Sequence, residues 1–419
     1  MNAVLLLMGL LVLSYIGSFL VTRRSVGSTG LPSGIEYTAL GYLLGPHALG
    51  LIGPDDLKAF EPVVQVALGW LAFGIGLEFG FADNRRVPFG RIAFASFGAL
   101  VTGGAVAAAT WCALAALHVD LTTNRRFLLA GGVGVACSET TRHAVTWIVS
   151  RYGARGALAE LLDDIAQVDD FFPLLAVSVL FAFDSSATTA VVAVREPLRD
   201  LPAITATIGL VLGAGAALLL RSEMRIEDTW TILFGVALLT IGTAARLGVS
   251  TLTASFFMGL AVSLLSQHGR QLRAMVGPTE RPVLLPALLL AGAHLEFQTS
   301  RALPWVAAAA IGTRILTKIV LGWGLAAVSP PARKGGPLFG LALMSSGSLA
   351  MCIGLAFALR IPGVVGDTVL AVAAISATAG EFIGPARLRR TLQLAGDLDG
   401  DTAIATAADA ATSAAKRSA

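Results

Sequence analysis

The chain has 419 residues, of which 55% are hydrophobic and only 14% are charged, and its formal net charge is +3. Soluble domains carry about 25% charged residues, so this composition excludes a soluble globular protein and predicts a polytopic membrane protein. The small net charge identifies no partner, because in membrane proteins the placement of Lys and Arg matters more than their sum.

Apolar runs predict an all-α membrane protein of about thirteen transmembrane helices, at about 20 residues per span. The first run, 3–22, lacks a basic amino-terminal region, and we interpret it as a retained span rather than a signal peptide. In order, the spans are roughly 3–22, 34–52, 61–82, 92–117, 127–150, 156–183, 201–220, 229–247, 250–266, 282–298, 303–328, 337–359 and 365–386. After them, residues 395–419 are rich in Ala, Thr and Asp and predict a short disordered cytoplasmic tail.

The third and tenth spans carry a weak internal repeat, GIGLEFG at 74–80 and GAHLEFQ at 292–298. Six spans, one linking span and six more would make these segments equivalent. Because the tenth span follows the third by seven positions, an odd number, the two repeats would be inverted relative to each other, as in many transporters. Within one transmembrane domain, 1–394, we expect repeat one at about 1–183, a linker helix at about 201–220 and repeat two at about 229–391.

Polar and small residues interrupt the fifth and twelfth spans. The polar residues are Ser138, Glu139, Thr140 and Arg142 in the fifth span, and Ser345 and Ser346 in the twelfth. Unwound backbone is tolerated at membrane depth only where it is buried in protein or lines a cavity. We therefore expect two interrupted helices whose ends carry partial charges able to hold an ion or balance a buried charge. For both spans, the alternative is that their small residues only allow close helix packing.

The sixth span carries four carboxylates, Asp163, Asp164, Asp169 and Asp170. A charge at mid-bilayer costs about 2.5–3.5 kcal/mol on insertion scales, so such residues are kept mainly where they face a wet cavity and handle ions or protons. Asp169 and Asp170 directly precede the apolar run 171–183 and should lie deepest. They are the predicted ion- and proton-binding pair, with Asp163 and Asp164 in support.

The eleventh span carries Arg314 and Lys318, four residues apart on one helix face. Lys318 has apolar sequence on both sides and lies too deep to reach the interface easily. We expect it to pair with a carboxylate, Asp169 or Asp170. The alternative is that both cations bind Glu139 or backbone carbonyls and only stabilise the fold.

The basic residues of the loops predict the orientation of the chain. The odd-numbered loops are richer in Arg and Lys than the even-numbered ones, with Arg85 and Arg86, Arg151 and Arg155, and Arg270 as examples. Positive-inside logic then places the amino terminus outside and the carboxyl terminus in the cytoplasm.

Motifs in order along the chain resemble one known family. They are ALGYLLGPHALGLI (39–52), VALGWLAFGIGLEFG (66–80), ARLGVSTLTASFFMGLAVS (245–263), GLALMSSGSLAMCIGLAFA (340–358) and GEFIGPARLRRTL (380–392). Together they resemble the membrane domain of the monovalent cation:proton antiporters, the sodium/proton exchanger superfamily, in its second large branch. The resemblance implies crossed, interrupted helices and a core that moves against a dimer scaffold.

The resemblance also implies roles for the acidic residues. Asp170 would be the main carboxylate for the cation and the proton, and Asp169 the neighbour that pairs with Lys318. A rival alignment places Asp163 and Asp164 at the motif, because LLDDIA resembles the QDIA of potassium-efflux relatives. We prefer the later pair on its spacing from Gly156.

The implied function is sodium/proton exchange in pH homeostasis by a homodimer in a bacterial inner membrane, with no cofactor, no nucleic acid partner and no enzymatic activity. Asp169 and Asp170 would be the ligands of the monovalent cation. The segments CSETT in the fifth span and SSGS in the twelfth depart from the family's usual helix breaks. No GxGxxG motif follows a strand pattern, and this argues against gating by a nucleotide. The alternatives are potassium/proton exchange, a sodium symporter resembling bile-acid transporters, and a non-transporting membrane sensor. An intramembrane aspartyl protease is disfavoured, because its two aspartates lie on different helices.

Overall fold

The structure is a computed structural model that describes residues 34–79, 81–82, 85–184, 200–221, 225–297 and 301–398. The predicted first span and the part of the predicted tail after Leu398 lie outside the described residues. Helices dominate, and a single hairpin pairs Phe81–Ala82 with Arg85–Arg86. The predicted all-α membrane fold is confirmed.

The helices are numbered here in chain order over the described residues. Those of the first half are α1 (Ile35–Leu44), α2 (Pro54–Glu78), α3 (Phe89–Ala116), α4 (Thr123–Ala136), α5 (Arg142–Tyr152), α6 (Ala157–Val168), α7 (Phe171–Ala182) and α8 (Leu201–Leu219). Those of the second half are α9 (Ile226–Leu247), α10 (Thr251–Leu265), α11 (Gly269–Val276), α12 (Glu280–Ala293), α13 (Leu303–Val328), α14 (Pro330–Lys334), α15 (Ser348–Arg360) and α16 (Val364–Ala395). Short 3-10 helices cover Gly277–Thr279 and Phe339–Leu343.

Each predicted span from the second onward corresponds to one helix or to a pair of them. Within the described ranges, 7 helical segments are long and apolar enough to cross a membrane, and α6 with α7 counts as one of these. The fifth and twelfth spans are interrupted as predicted, at 137–141 and at 344–347. The second span differs from its prediction, because its helix ends at Leu44. Gly45 is extended there, and the proline that follows disfavours helical backbone at the residue before it.

The helices pack mainly within two groups. The first, called the scaffold here, comprises α1, α2, α8, α9, α10 and α12, with α10 packed against both α2 and α8. The second, called the core, comprises α3 to α7, α13, α15 and α16, with α4 packed against α3, α15 and α16. Both interrupted helices and the predicted aspartate pair therefore belong to the core.

Within the scaffold, α2 and α10 approach backbone to backbone. A Cβ atom on Gly76 would overlap the carbonyl oxygen of Phe256, and one on Gly259 would overlap that of Phe73. Small residues at such a crossing bring two membrane helices close enough for main-chain packing. The scaffold is thus held by contacts that leave no room for a side chain.

We predict that Gly76→Ala lowers the free energy of unfolding by about 1–3 kcal/mol, because the added methyl group must push the two backbones apart. Gly104→Ala is the matched control, since a Cβ at Gly104 on α3 meets no atom within 4 Å. Thermal unfolding of the purified proteins in detergent measures both changes. Equal stability of the two variants would contradict the close crossing.

Candidate functional site

The two helix interruptions meet in the middle of the core. The Thr141 backbone N–H donates to the Ser345 carbonyl at 3.0 Å, and the Thr140 hydroxyl donates to the Leu343 carbonyl at 3.2 Å. Each interruption thus satisfies part of the other's polar backbone. This is the condition under which non-helical backbone persists at membrane depth.

Glu139 in the first interruption caps the helix that follows the second. Its Oε1 atom accepts hydrogen bonds from the backbone N–H of Gly347 at 2.7 Å and of Ala350 at 3.1 Å, and from the Ser346 hydroxyl at 3.4 Å. Glu139 is only 1% exposed. Its carboxylate therefore places a negative charge at the positive, amino-terminal end of α15.

Arg314 and Lys318 of α13 bind to the other side of the first interruption. The Arg314 guanidinium donates to the Glu139 carbonyl at 2.7 Å and to the Ser376 hydroxyl at 2.9 Å. The Lys318 ammonium donates to the Thr140 hydroxyl at 2.7 Å and lies 3.5 Å from the Ser138 carbonyl. Two cations thus face the carbonyl-rich segment that follows the carboxyl-terminal end of α4, where cations are favoured.

The expected ion pair between Lys318 and Asp169 is not formed. Among the described residues, Asp169 faces the hydroxyl and the backbone N–H of Thr140, but neither of its oxygens is in full hydrogen-bond geometry, and it shares a small cavity of about 20 Å³ with Lys318. The reason is that Thr140 and the carbonyl of Ser138 provide oxygen acceptors closer to the ammonium. For these two cations, the contacts match the alternative in which they bind backbone carbonyls.

The aspartate pair lies at the junction of two helices within the sixth span. The span was expected to be one helix, but Asp169 and Asp170 form a turn between α6 and α7. Pro173 lacks the N–H that would donate to the Asp169 carbonyl, so the helical hydrogen-bond ladder is interrupted there. The two side chains therefore sit at a local break with buried surroundings.

The two carboxylates face different spaces. Asp170 lines a cavity of about 620 Å³ between the core and the scaffold, whereas Asp169 lines the small cavity it shares with Lys318. Asp169 is 2% exposed, and the Oδ1 atom of Asp170 is also buried without a hydrogen-bond partner within the described ranges. Buried carboxylate oxygens are nearly always hydrogen-bonded, so these oxygens are free to take a proton, a water molecule or an ion.

Asp163 and Asp164 lie one to two turns earlier, and both are engaged by arginines. Asp164 pairs with Arg91 of α3, and Asp163 lies 3.3 Å from Arg142. Arg142 also binds Glu78 at 2.7 Å. These two acids therefore differ from the later pair in having strong partners already in place.

Two scaffold residues at this cavity were not among the predicted site residues. Glu78 at the end of α2 binds Arg142, and Glu280 at the start of α12 lies 3.3 Å from the imidazole of His143. Glu78 belongs to the GIGLEFG repeat, which was a usable signal. Nothing in the sequence indicated that Glu280 pairs with His143, because the two residues lie far apart along the chain.

The lining of the large cavity also includes Arg151, Arg273 and Arg281, of which Arg151 and Arg281 are exposed. Arg273 also donates to the Ser263 hydroxyl at 3.3 Å, and burial lowers the pKa of its guanidinium. Within the described ranges, no group of three or more His, Cys, Asp and Glu side chains is arranged to hold a metal ion. The geometry thus places the Asp170 carboxylate in the wall of a cavity of about 620 Å³.

Comparison with known proteins gives a consistent result. The family model described as "Sodium/hydrogen exchanger, transmembrane" matches residues 10–388. Among solved structures, the chain is similar to the sodium proton antiporter MjNhaP1 from Methanocaldococcus jannaschii at pH 8, with a TM-score of 0.69 at 15% identity over 95% of this chain and 100% of that one. A second structure of MjNhaP1, from electron microscopy, gives a TM-score of 0.59 at 17% identity over 95% and 98% of the two chains. No curated protein sequence matches the chain significantly.

We predict that Glu139→Ala lowers the free energy of unfolding by about 3 kcal/mol, because the N–H groups of Gly347 and Ala350 lose their buried acceptor. Glu139→Gln keeps an acceptor oxygen and should lose clearly less. Thermal unfolding in detergent compares the two variants. Equal losses would mean that the capping hydrogen bonds do not stabilise this junction.

Proposed function

Because the chain belongs to the sodium/hydrogen exchanger family, we propose that it exchanges a monovalent cation, with sodium as the first candidate, for protons across a bacterial inner membrane. Cation/proton antiport is the activity of this family, and the solved relatives are described as sodium proton antiporters. The observation that carries the proposal is the pair of adjacent carboxylates, Asp169 and Asp170, whose buried oxygens lack hydrogen-bond partners among the described residues and of which Asp170 lines the large cavity.

Competition between a cation and protons follows from the charge of this pair. Two adjacent carboxylates repel each other strongly in a low-dielectric interior when both are ionised. A bound cation or a bound proton relieves that repulsion, and the two compete for the same oxygens. Asp170 is the binding carboxylate in this proposal, since it faces the large cavity. Asp169, with Thr140 and Lys318 beside it, adjusts the local charge.

Asp163 and Asp164 are assigned a supporting role. Their ion pairs with Arg142 and Arg91 leave them less available to a transported ion than the later pair. This contrast favours Asp169 and Asp170 over the rival alignment of the motif.

The accessibility of the pair supports an alternating-access cycle. The cavity that Asp170 lines extends to the exposed Arg151, on the side that positive-inside logic assigns to the cytoplasm. At the opposite end, Arg360 lies 3.4 Å from Asp184 and donates to the Gly248 carbonyl of the scaffold at 2.9 Å. We propose that the core moves against the scaffold so that the pair faces one side at a time, and that the scaffold forms the interface of a homodimer.

We predict that Asp170→Asn abolishes cation-dependent proton movement, because an amide cannot bind the cation or exchange a proton with it. The measurement is the response of a pH-sensitive dye inside proteoliposomes to pulses of sodium, lithium or potassium. Asp55→Asn is the matched control, since Asp55 is exposed at the start of α2. Full activity of Asp170→Asn would overturn the assignment, and a response to potassium alone would make the protein a potassium/proton exchanger.

We also predict that the cation concentration for half-maximal rate rises as the pH falls, by about tenfold per pH unit where one proton competes for the site. The sign follows because protonation removes the carboxylate that the cation needs. The maximal rate at saturating cation should change little. Initial rates in proteoliposomes at several pH values separate the two quantities, and a pH effect confined to the maximal rate would exclude competition.

A further inference from the structure

The helix that leads to the aspartate pair begins without a cap of its own. The residue before α6 is Gly156, which has no side chain to accept from the first free N–H groups of the helix. Asp397, two residues beyond the end of α16, provides the acceptor for these N–H groups instead. Its carboxylate accepts hydrogen bonds from the N–H of Leu158 at 2.9 Å and of Ala159 at 2.8 Å.

The surroundings are shaped to hold this contact. The Arg155 backbone N–H donates to the Asp397 carbonyl at 2.9 Å. Gly156 has a φ of 159°, and a Cβ atom there would overlap the Asp397 carboxylate. The next residue, Leu398, is 5% exposed and belongs to the same apolar cluster as Leu158. Asp397 and Leu398, which the sequence assigned to a disordered tail, are therefore packed against the core.

We propose that Asp397 is a positioning residue for the ion site, an inference that rests on the proposed function. The capped helix ends at Val168, directly before Asp169, so roughly 15 Å of helical rise separates Ala159 from the aspartate pair. A carboxylate at the amino-terminal end satisfies two N–H groups and opposes the positive end of the helix dipole. Docking of Asp397 thereby fixes the register of α6, and with it the depth of Asp169 and Asp170.

Loss of the cap should weaken cation binding without removing any ligand. The first turn of α6 would then be unwound for much of the time, and only the fraction with an intact helix would hold the carboxylates in place. Apparent affinity falls in proportion to that competent fraction. The maximal rate falls less, because saturating cation selects the intact form.

The test uses the full chain in proteoliposomes, with sodium as the cation. Asp397→Ala should raise the half-saturating sodium concentration about fivefold, the equivalent of the roughly 1 kcal/mol typical of a lost helix cap, while the maximal rate changes by less than about threefold. Asp397→Asn should stay close to wild type, because its side-chain oxygen still accepts hydrogen bonds.

Asp56→Ala is the matched control, since the Asp56 carboxylate accepts from the Gly53 N–H at 3.0 Å at the start of the scaffold helix α2. It should lower thermal stability and leave the half-saturating concentration unchanged.

Hydrogen–deuterium exchange of the peptide spanning the start of α6 gives a second, transport-independent readout, and faster exchange is expected in Asp397→Ala only. Unchanged half-saturation in Asp397→Ala, or an equal rise in Asp56→Ala, would overturn the positioning role. Unchanged exchange would overturn the cap itself. A wild-type protein that transports no cation would instead contradict the proposed function. The failure of the positioning role and the failure of the proposed function are therefore distinguishable.

Discussion

Two helices that stop in the middle of a membrane protein create the constraint on which the rest of this structure depends. Their ends expose N–H and carbonyl groups where no bulk water is present, and each unsatisfied group is costly. Glu139 satisfies the amino-terminal end of α15, while Arg314 and Lys318 face the carbonyls that follow α4. A negative and two positive side chains thus balance the partial charges of the two helix ends. With the junction held in this way, the neighbouring sixth span can bring carboxylates to the same depth.

The acids of the sixth span fall into two classes by their partners. Asp163 and Asp164 are held by arginines of neighbouring core helices, so their charge is already compensated. Asp169 and Asp170 have buried oxygens without hydrogen-bond partners among the described residues. A carboxylate that is paired with an arginine stabilises one arrangement, whereas a carboxylate without a partner can bind a cation or a proton. The difference in partners, rather than in residue type or position along the helix, marks which pair does the transport in our proposal.

The sequence predicted the architecture better than the contacts within it. Spans are continuous apolar runs, and their interruptions are clusters of Gly, Ser and charged residues. Both features are visible in short stretches of the sequence. The partner of a buried lysine is not local. Burial required an acceptor for Lys318, but a hydroxyl and a carbonyl of the broken fifth helix compete equally well with a carboxylate. The cap that Glu139 provides joins residues 208 positions apart, and the one from Asp397 joins residues 239 apart. Such pairings depend on how the helices cross, which composition and periodicity do not encode.

In our proposal the core moves against the scaffold, and such motion requires strong contacts within each group and weak ones between them. Within the scaffold, Gly76 and Gly259 allow main-chain packing that tolerates no displacement. Across the large cavity, the two groups are joined by Arg142 with Glu78 and by His143 with Glu280, whose side chains are between 23% and 33% exposed. Ion pairs that solvent reaches contribute only about 0–1 kcal/mol each, so they can hold one state and still break when the charge of the site changes. Neutralising Asp170 would alter the field on Arg142 at the same cavity, and this links occupation of the ion site to the contacts that must be released for the core to move.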